Sequence, residues 1–348
     1  MKKTLIALAV LAASGASFAQ VTITGTFATG YQADHFGTGS AAIPIADRSG
    51  LGVDTAEIYF NVSEDLGGGT KATAKLGFDG VTRASANGGD AVLALSGAFG
   101  TLTLSTTKGT DYLSAGVAKV GGTGMDGKVF SARTTADSIA YAYAFGPVTV
   151  SLAHSEPGNT LGLGNGAAGA PGQYTTQSFD QASGLTNSAA TNQRTTRLAA
   201  KYVAGMLVVD GGYATYDNST GSPVANLVGG DLSNDKSQMR LAASYHFGVA
   251  KLGAGWVENA RIGGTRTDTL ISAALPLGAL TLGADYATRT TSSFAAAASN
   301  GTISGYGLSA GYALSKRTAL SLSYTLFKQS LTALENSSST AVLLAHSF

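Results

Sequence analysis

Almost the whole chain alternates apolar and polar residues with a period of two, and few folds tolerate that pattern at this length. Val21, Ile23, Gly25 and Phe27 alternate with Thr22, Thr24 and Thr26, and Ile58, Phe60 and Val62 with Glu57, Tyr59 and Asn61. Near the C-terminus Leu320, Leu322, Tyr324 and Leu326 alternate with Ser321, Ser323 and Thr325. Successive side chains of a strand point to opposite faces, so each such segment has one apolar and one polar face. The pattern predicts sixteen strands, near 21–33, 51–63, 70–79, 90–97, 100–107, 136–145, 147–156, 194–204, 206–216, 237–247, 249–259, 267–276, 279–290, 302–314, 318–330 and 339–348. Their connections alternate too. Short turns follow every even strand, and longer stretches (34–50, 80–89, 108–135, 157–193, 217–236, 260–266, 291–301 and 331–338) follow every odd one.

Composition decides what covers the apolar faces. Charged residues are 12% of the 348, about half the usual soluble share. Mean hydropathy is +0.14, too polar for a bundle of membrane helices and suited to strands with one lipid face and one water face. No apolar run after the first twenty residues nears the ~20 needed for a membrane helix. In lipid an unpaired backbone group costs several kcal/mol, so such a sheet must close on itself. The expected fold is all-β, a 16-stranded antiparallel transmembrane β-barrel with short periplasmic turns and long extracellular loops. Tyr143, Phe145, Tyr202, Tyr245, Phe247, Tyr312 and Phe348 fall on outward positions near the turn ends, and Tyr213, Trp256 and Tyr286 near the loop ends, as two interfacial belts. No fixed-period repeat argues for a solenoid.

The N-terminus reads as an address. Met1-Lys2-Lys3 is basic, Leu5 to Leu11 is apolar, and Ser17-Phe18-Ala19 puts small residues at a cleavage site. A signal peptide over 1–19 is expected, leaving 20–348 as the barrel domain. Without Lys2 and Lys3 the balance is 20 basic to 21 acidic side chains, which argues against nucleic acid as a partner. There is no cysteine, and His35, His154, His246 and His346 are dispersed, so no metal site or cofactor is expected. Gly307-Leu308-Ser309-Ala310-Gly311 matches a nucleophile elbow, and Gly305 to Ala310 a dinucleotide fingerprint. Both lie in unbroken strand alternation and lack the helix that either chemistry requires, so no enzyme is expected.

Three segments together resemble the general porins of betaproteobacteria, trimeric Gram-negative porins. Gln20-Val21-Thr22-Ile23-Thr24-Gly25 is similar to that family's start, Asp65-Leu66-Gly67-Gly68-Gly69 to its first short turn, and Ala345-His346-Ser347-Phe348 to its end. Thr24 stands where the family has an aromatic, and Ala345 where it has Arg. The resemblance implies a homotrimer in the outer membrane, set among lipid and lipopolysaccharide. It implies a third loop folded into the channel, and a terminal Phe348 offered to the barrel-assembly machinery. It also implies a passive diffusion pore for ions and small hydrophilic solutes, with a substrate-specific channel as the alternative.

Strand parity turns Lys71, Lys75, Arg197, Lys201, Arg240, Lys251 and Arg289 toward the lumen, against Glu57, Asp79, Asp210 and Asp285. The third loop adds Asp111, Lys119, Asp126, Lys128 and Arg133. Charges in a narrow pore between low-dielectric walls set ion selectivity, and seven basic wall residues against four acidic predict a modest anion preference. Lys71, Lys75, Arg197 and Arg240 are the foremost candidates, with Lys201, Arg289, Glu57 and the loop residues Asp111, Asp126 and Arg133 beside them.

Overall fold

Backbone pairing carries one sheet around a full circle. The computed structural model describes residues 20–37, 47–80, 86–108, 113, 116–131, 135–156, 193–218, 235–261, 263–293, 300–328 and 336–348. The strands are β1 (Gln20–His35), β2 (Arg48–Gly67), β3 (Thr70–Asp79), β4 (Asn87–Gly97), β5 (Gly100–Lys108), β6 (Thr135–Phe145), β7 (Val148–Glu156) and β8 (Gln193–Ala204). They continue as β9 (Leu207–Asn218), β10 (Asp235–His246), β11 (Lys251–Arg261), β12 (Gly264–Leu277), β13 (Leu280–Ser293), β14 (Gly301–Ala313), β15 (Thr318–Phe327) and β16 (Ser337–Ser347). Each pairs antiparallel with the next, and β1 pairs with β16 to close the barrel. The expected sixteen-stranded fold is therefore found. The signal segment lies outside the described residues.

The closing seam explains the last residue. Phe348 donates its N–H to the Gly25 carbonyl at 3.1 Å and accepts the Gly25 N–H at 3.0 Å. Its ring occupies the space a side chain at position 25 would need, since a Cβ there would lie 2.5 Å from the ring. Gly25 is thus the notch into which the terminal aromatic folds.

Alternation holds around the circle. Leu76, Leu198, Ile271, Leu308 and Leu344 are exposed on the outer surface, as lipid-facing residues must be. Near the turn ends Tyr143 packs on Phe145 and Tyr245 on Phe247, each with ring centroids 4.6 Å apart. One connection departs from expectation. The stretch 260–266 read as a loop, but β11 and β12 pair from Lys251 to Arg261, leaving only residues 262 and 263 between them. Arg261 and Arg266 are strand residues facing inward, Arg266 fully buried between Asn259 and Asp268 on the same face, and the charge of the two arginines imitated a loop.

Inside the barrel lies a small hydrophobic core. The described part of loop 3, between β5 and β6 (Leu113 and residues 116–131), folds inward: Leu113, Val117, Ala118, Met125, Val129 and Phe130 are buried against Ala242, Val257, Leu270, Ala287, Ile303 and Phe327. These partners come from β10 to β15, so the loop covers that part of the inner wall. Burying apolar side chains on both surfaces, at about 25 cal/mol per Å2, holds a loop in an otherwise wet lumen.

Candidate pore constriction

Inner-wall glycines make the seat for loop 3. A Cβ at Gly253 would lie 2.1 Å from the Ala118 carbonyl oxygen, at Gly283 1.9 Å from that of Gly121, and at Gly307 2.0 Å from the Thr123 hydroxyl. At Gly255 it would meet the Ala118 Cβ at 2.8 Å, and at Gly305 the Val129 side chain at 2.9 Å. The strands carry glycine where the loop presses on them, its backbone at Gly253 and Gly283 and its side chains at Gly255, Gly305 and Gly307.

Polar anchors then fix the apex. The Ser272 hydroxyl accepts the N–H groups of Val120 and Gly121 at 2.9 and 2.6 Å. One carboxylate oxygen of Asp285 accepts the Thr123 N–H at 2.8 Å, the Thr123 hydroxyl at 2.6 Å and the Gly124 N–H at 3.0 Å. Its other oxygen accepts the Ser272 hydroxyl at 2.5 Å. Ser309, the serine of the apparent nucleophile elbow, sits in the straight strand β14 and donates to the Gly121 carbonyl at 2.6 Å. At the loop's far end Arg289 donates to the Ser131 hydroxyl at 3.2 Å.

Most wall charges under the loop are spent on one another. Arg240 pairs with Asp210 at 2.9 Å, both nearly buried. Asp268 lies between Arg289, at 2.8 Å, and Arg266, at 3.6 Å. Asp235 lies between Arg261, at 3.2 Å, and Arg266, at 3.7 Å. Arg240 and Arg289 thus face inward as expected, but each is held by a carboxylate. Asp285 is occupied by loop 3 rather than opposing a solute. Four members of this set, Asp235, Arg261, Arg266 and Asp268, were missing from the sequence-derived candidates. Arg266 and Arg261 fell in the expected loop. Asp268 could have been found by parity, since Ile271, Ala273 and Leu275 face out.

Of the other candidates, Arg197, Lys71 and Lys201 have no ion-pair partner among the described residues. Arg197 donates to the neutral Gln238 amide at 3.2 Å and contacts the Tyr216 hydroxyl. Gln238 in turn donates to Asn259 at 3.0 Å, so this row of the wall carries a cation among neutral partners. Lys71 and Lys201 are exposed near the turn ends. In a ring of sixteen strands, β2 to β7 stand opposite β10 to β15, the wall that loop 3 covers. On that far wall Lys75 lies 3.8 Å above the Tyr59 ring and 3.4 Å from Asp90, while Tyr59 donates to Glu57 at 2.8 Å.

Loop 3 contributes two lysines. Among the described residues neither Lys119 nor Lys128 has an ion-pair partner. Asp126 sits half-buried in the tight turn where the Phe130 N–H returns to the Met125 carbonyl at 2.9 Å. Asp111 and Arg133 lie outside the described residues. Burial, and then the neighbouring Lys119 charge, hold Lys128 below the ordinary lysine value, against the opposing pull of Asp34, Asp126 and Asp54. A lowered lysine value means that positive charge is lost at a lower pH. Any anion preference that Lys128 carries should therefore begin to fall on the alkaline side before exposed lysines titrate. Reversal potentials recorded across that range, with Lys128→Met as control, check this; an early step that survives in Lys128→Met would refute it.

Comparison with known proteins gives a consistent picture. The profile of the Gram-negative porin family matches residues 4–331. The chain is 29% identical over 276 residues to outer membrane porin protein 32 of Delftia acidovorans, covering 72% of this chain and 68% of that one. An anion-selective porin from Comamonas acidovorans superposes with a TM-score of 0.66 at 20% identity, over 95% of this chain and all of that chain. A loop-deletion mutant of OmpT, an outer membrane protein of Vibrio cholerae, superposes with a TM-score of 0.62 at 13% identity, over 95% of this chain and 99% of the other.

Proposed function

The chain belongs to the Gram-negative porin family, a general diffusion channel of the outer membrane for ions and small hydrophilic solutes, and we propose that its pore prefers anions weakly. One observation carries the proposal. The acids beneath and beside loop 3 (Asp210, Asp235, Asp268 and Asp285) are all bound to arginines or to loop 3 itself, whereas Lys119 and Lys128 on the loop have no ion-pair partner among the described residues. A paired charge contributes little field along the pore axis, and an unpaired one in a narrow pore contributes much. Arg197, Lys71 and Lys201 add to the same sign along the wall. Lys75 and Glu57, each engaged on the far wall, contribute less. The Comamonas porin described as anion-selective shares this fold and supports the direction of the reading.

The same reading assigns residues 1–19 to a signal peptide, three copies to the working assembly, lipopolysaccharide to its surroundings, and Phe348 to recognition by the barrel-assembly machinery. It assigns no catalysis. Phe348 closes the seam on Gly25 through two backbone hydrogen bonds, so a chain that lacks it loses both.

Reversal potential in planar bilayers under a potassium chloride gradient tests the selectivity. The wild-type pore should show chloride more permeant than potassium, and Lys119→Glu with Lys128→Glu should reverse the sign. A double variant with an unchanged potential would place the selectivity elsewhere on the wall. Intensified screening at high salt should shrink the wild-type preference, because the Debye length falls from about 10 Å at 0.1 M to about 3 Å at 1 M.

A further inference from the structure

We propose that Asp285 and Ser272 form a latch that sets ion preference by positioning Lys119, so that removing this acid weakens the preference for anions instead of strengthening it. The inference rests on the anion-preferring reading above and names the wall groups that make it possible.

The latch brackets the loop apex. Ser272 takes the two N–H groups that follow Lys119, and Asp285 takes the Thr123 and Gly124 N–H groups three residues on. Lys119 folds back across this apex. A Cβ at Gly124 would lie 2.5 Å from the Lys119 Cε and 2.9 Å from its ammonium, and Gly124 has φ +51. The ammonium is therefore held above a backbone segment that is itself held by one carboxylate and one hydroxyl. The position of the loop's charge therefore depends on the wall groups that hold the apex.

The chemistry of the latch demands a carboxylate. Asp285 faces four donors: two N–H groups and a hydroxyl from loop 3, and the Ser272 hydroxyl. An ionised carboxylate accepts on both oxygens and donates nowhere. Asparagine has the same shape but turns one acceptor into a donor. If its NH2 faces Ser272, it meets an oxygen whose lone pairs already take Val120 and Gly121. If it faces loop 3, it meets three donors. Either orientation breaks one side of the latch.

Reversal potential and single-channel conductance of wild type, Asp285→Asn and Ser272→Ala decide the matter. Circular dichroism and heat-modifiable migration of each variant show that the barrel is intact. The latch predicts that both variants conduct more, roughly twofold if the apex leaves the water path, and that both shift toward lower anion-to-cation permeability. Ser272→Ala changes no charge, so its shift separates latch from charge and stands in should Asp285→Asn fold poorly. A simple wall charge predicts the opposite: Asp285→Asn raises anion permeability at unchanged conductance and Ser272→Ala does nothing, which overturns the proposal. Each shift is read against wild type, so a wild-type pore that prefers cations would sink the anion reading alone.

Discussion

Gly283→Leu is expected to drive loop 3 off the wall and open the pore. The Cβ of any residue there would lie 1.9 Å from the Gly121 carbonyl oxygen and 2.5 Å from the Ser309 hydroxyl. The first contact is with backbone, which no rotamer can relieve, and overpacking at a tight contact costs about 1–3 kcal/mol. The loop is the partner that can move, because β13 is held on both sides by β12 and β14. Lifting Gly121 also strips Ser272 and Asp285 of their loop partners, so the apex should leave as a unit. The barrel should still close, since position 283 faces the lumen and carries no lipid contact. Single-channel conductance and liposome swelling with neutral sugars measure the result: conductance up roughly twofold and larger sugars admitted, as a wider water path requires. Gly311→Leu is the matched control, on the same face of the neighbouring strand, where a Cβ would meet nothing within 4 Å. A Gly283→Leu channel indistinguishable from Gly311→Leu would show that the seat does not hold the loop.

The barrel was legible because lipid enforces a simple rule. Outward positions within the apolar band are mostly apolar, so Leu76, Leu198, Leu308 and Leu344 announce their strands locally. The rule failed where the inner face was unusually charged: Arg261 and Arg266 flank a two-residue hairpin and read as a loop. Parity placed the charges on the inner face but could not tell which were open to solutes. Arg240 reaches Asp210 on the adjacent strand, and Arg289 reaches Asp268, through a register that becomes visible only once the strands are paired. The seat of loop 3 was in plain view under another guise. Gly305, Gly307 and Ser309 composed the two apparent catalytic signatures, and their small size serves the passage of Val129, Thr123 and Gly121 across the strand. The loop and its seat are far apart in sequence, and no local pattern links them. Their match is a property of the closed barrel.

Asp268→Ala is expected to be the most destabilising single substitution in the lumen. Asp268 is fully buried and takes Arg289 on both oxygens, at 2.8 and 3.2 Å, with Arg266 at 3.6 Å. Arg266 is itself 1% exposed and cannot turn to water. Removing the carboxylate leaves two guanidinium groups facing each other across the vacated site, and breaking a buried pair by taking one partner typically costs about 3–5 kcal/mol. Asp235 still neutralises part of the Arg266 charge, so the loss should fall at the lower end of that range. The midpoint of thermal unfolding in detergent should drop, and Arg289, released from Asp268, should loosen its hold on Ser131 and expose its charge to the pore. Stability and selectivity should then move apart: a less stable barrel with a stronger anion preference, the reverse of what Asp285→Asn does to the second quantity. Adding Arg289→Met to Asp268→Ala should recover stability, because an apolar side chain of similar length needs no counter-charge. An Asp268→Ala barrel that unfolds at the wild-type midpoint would mean that solvent already screens this network, and the arginines would then count as open charges in the pore.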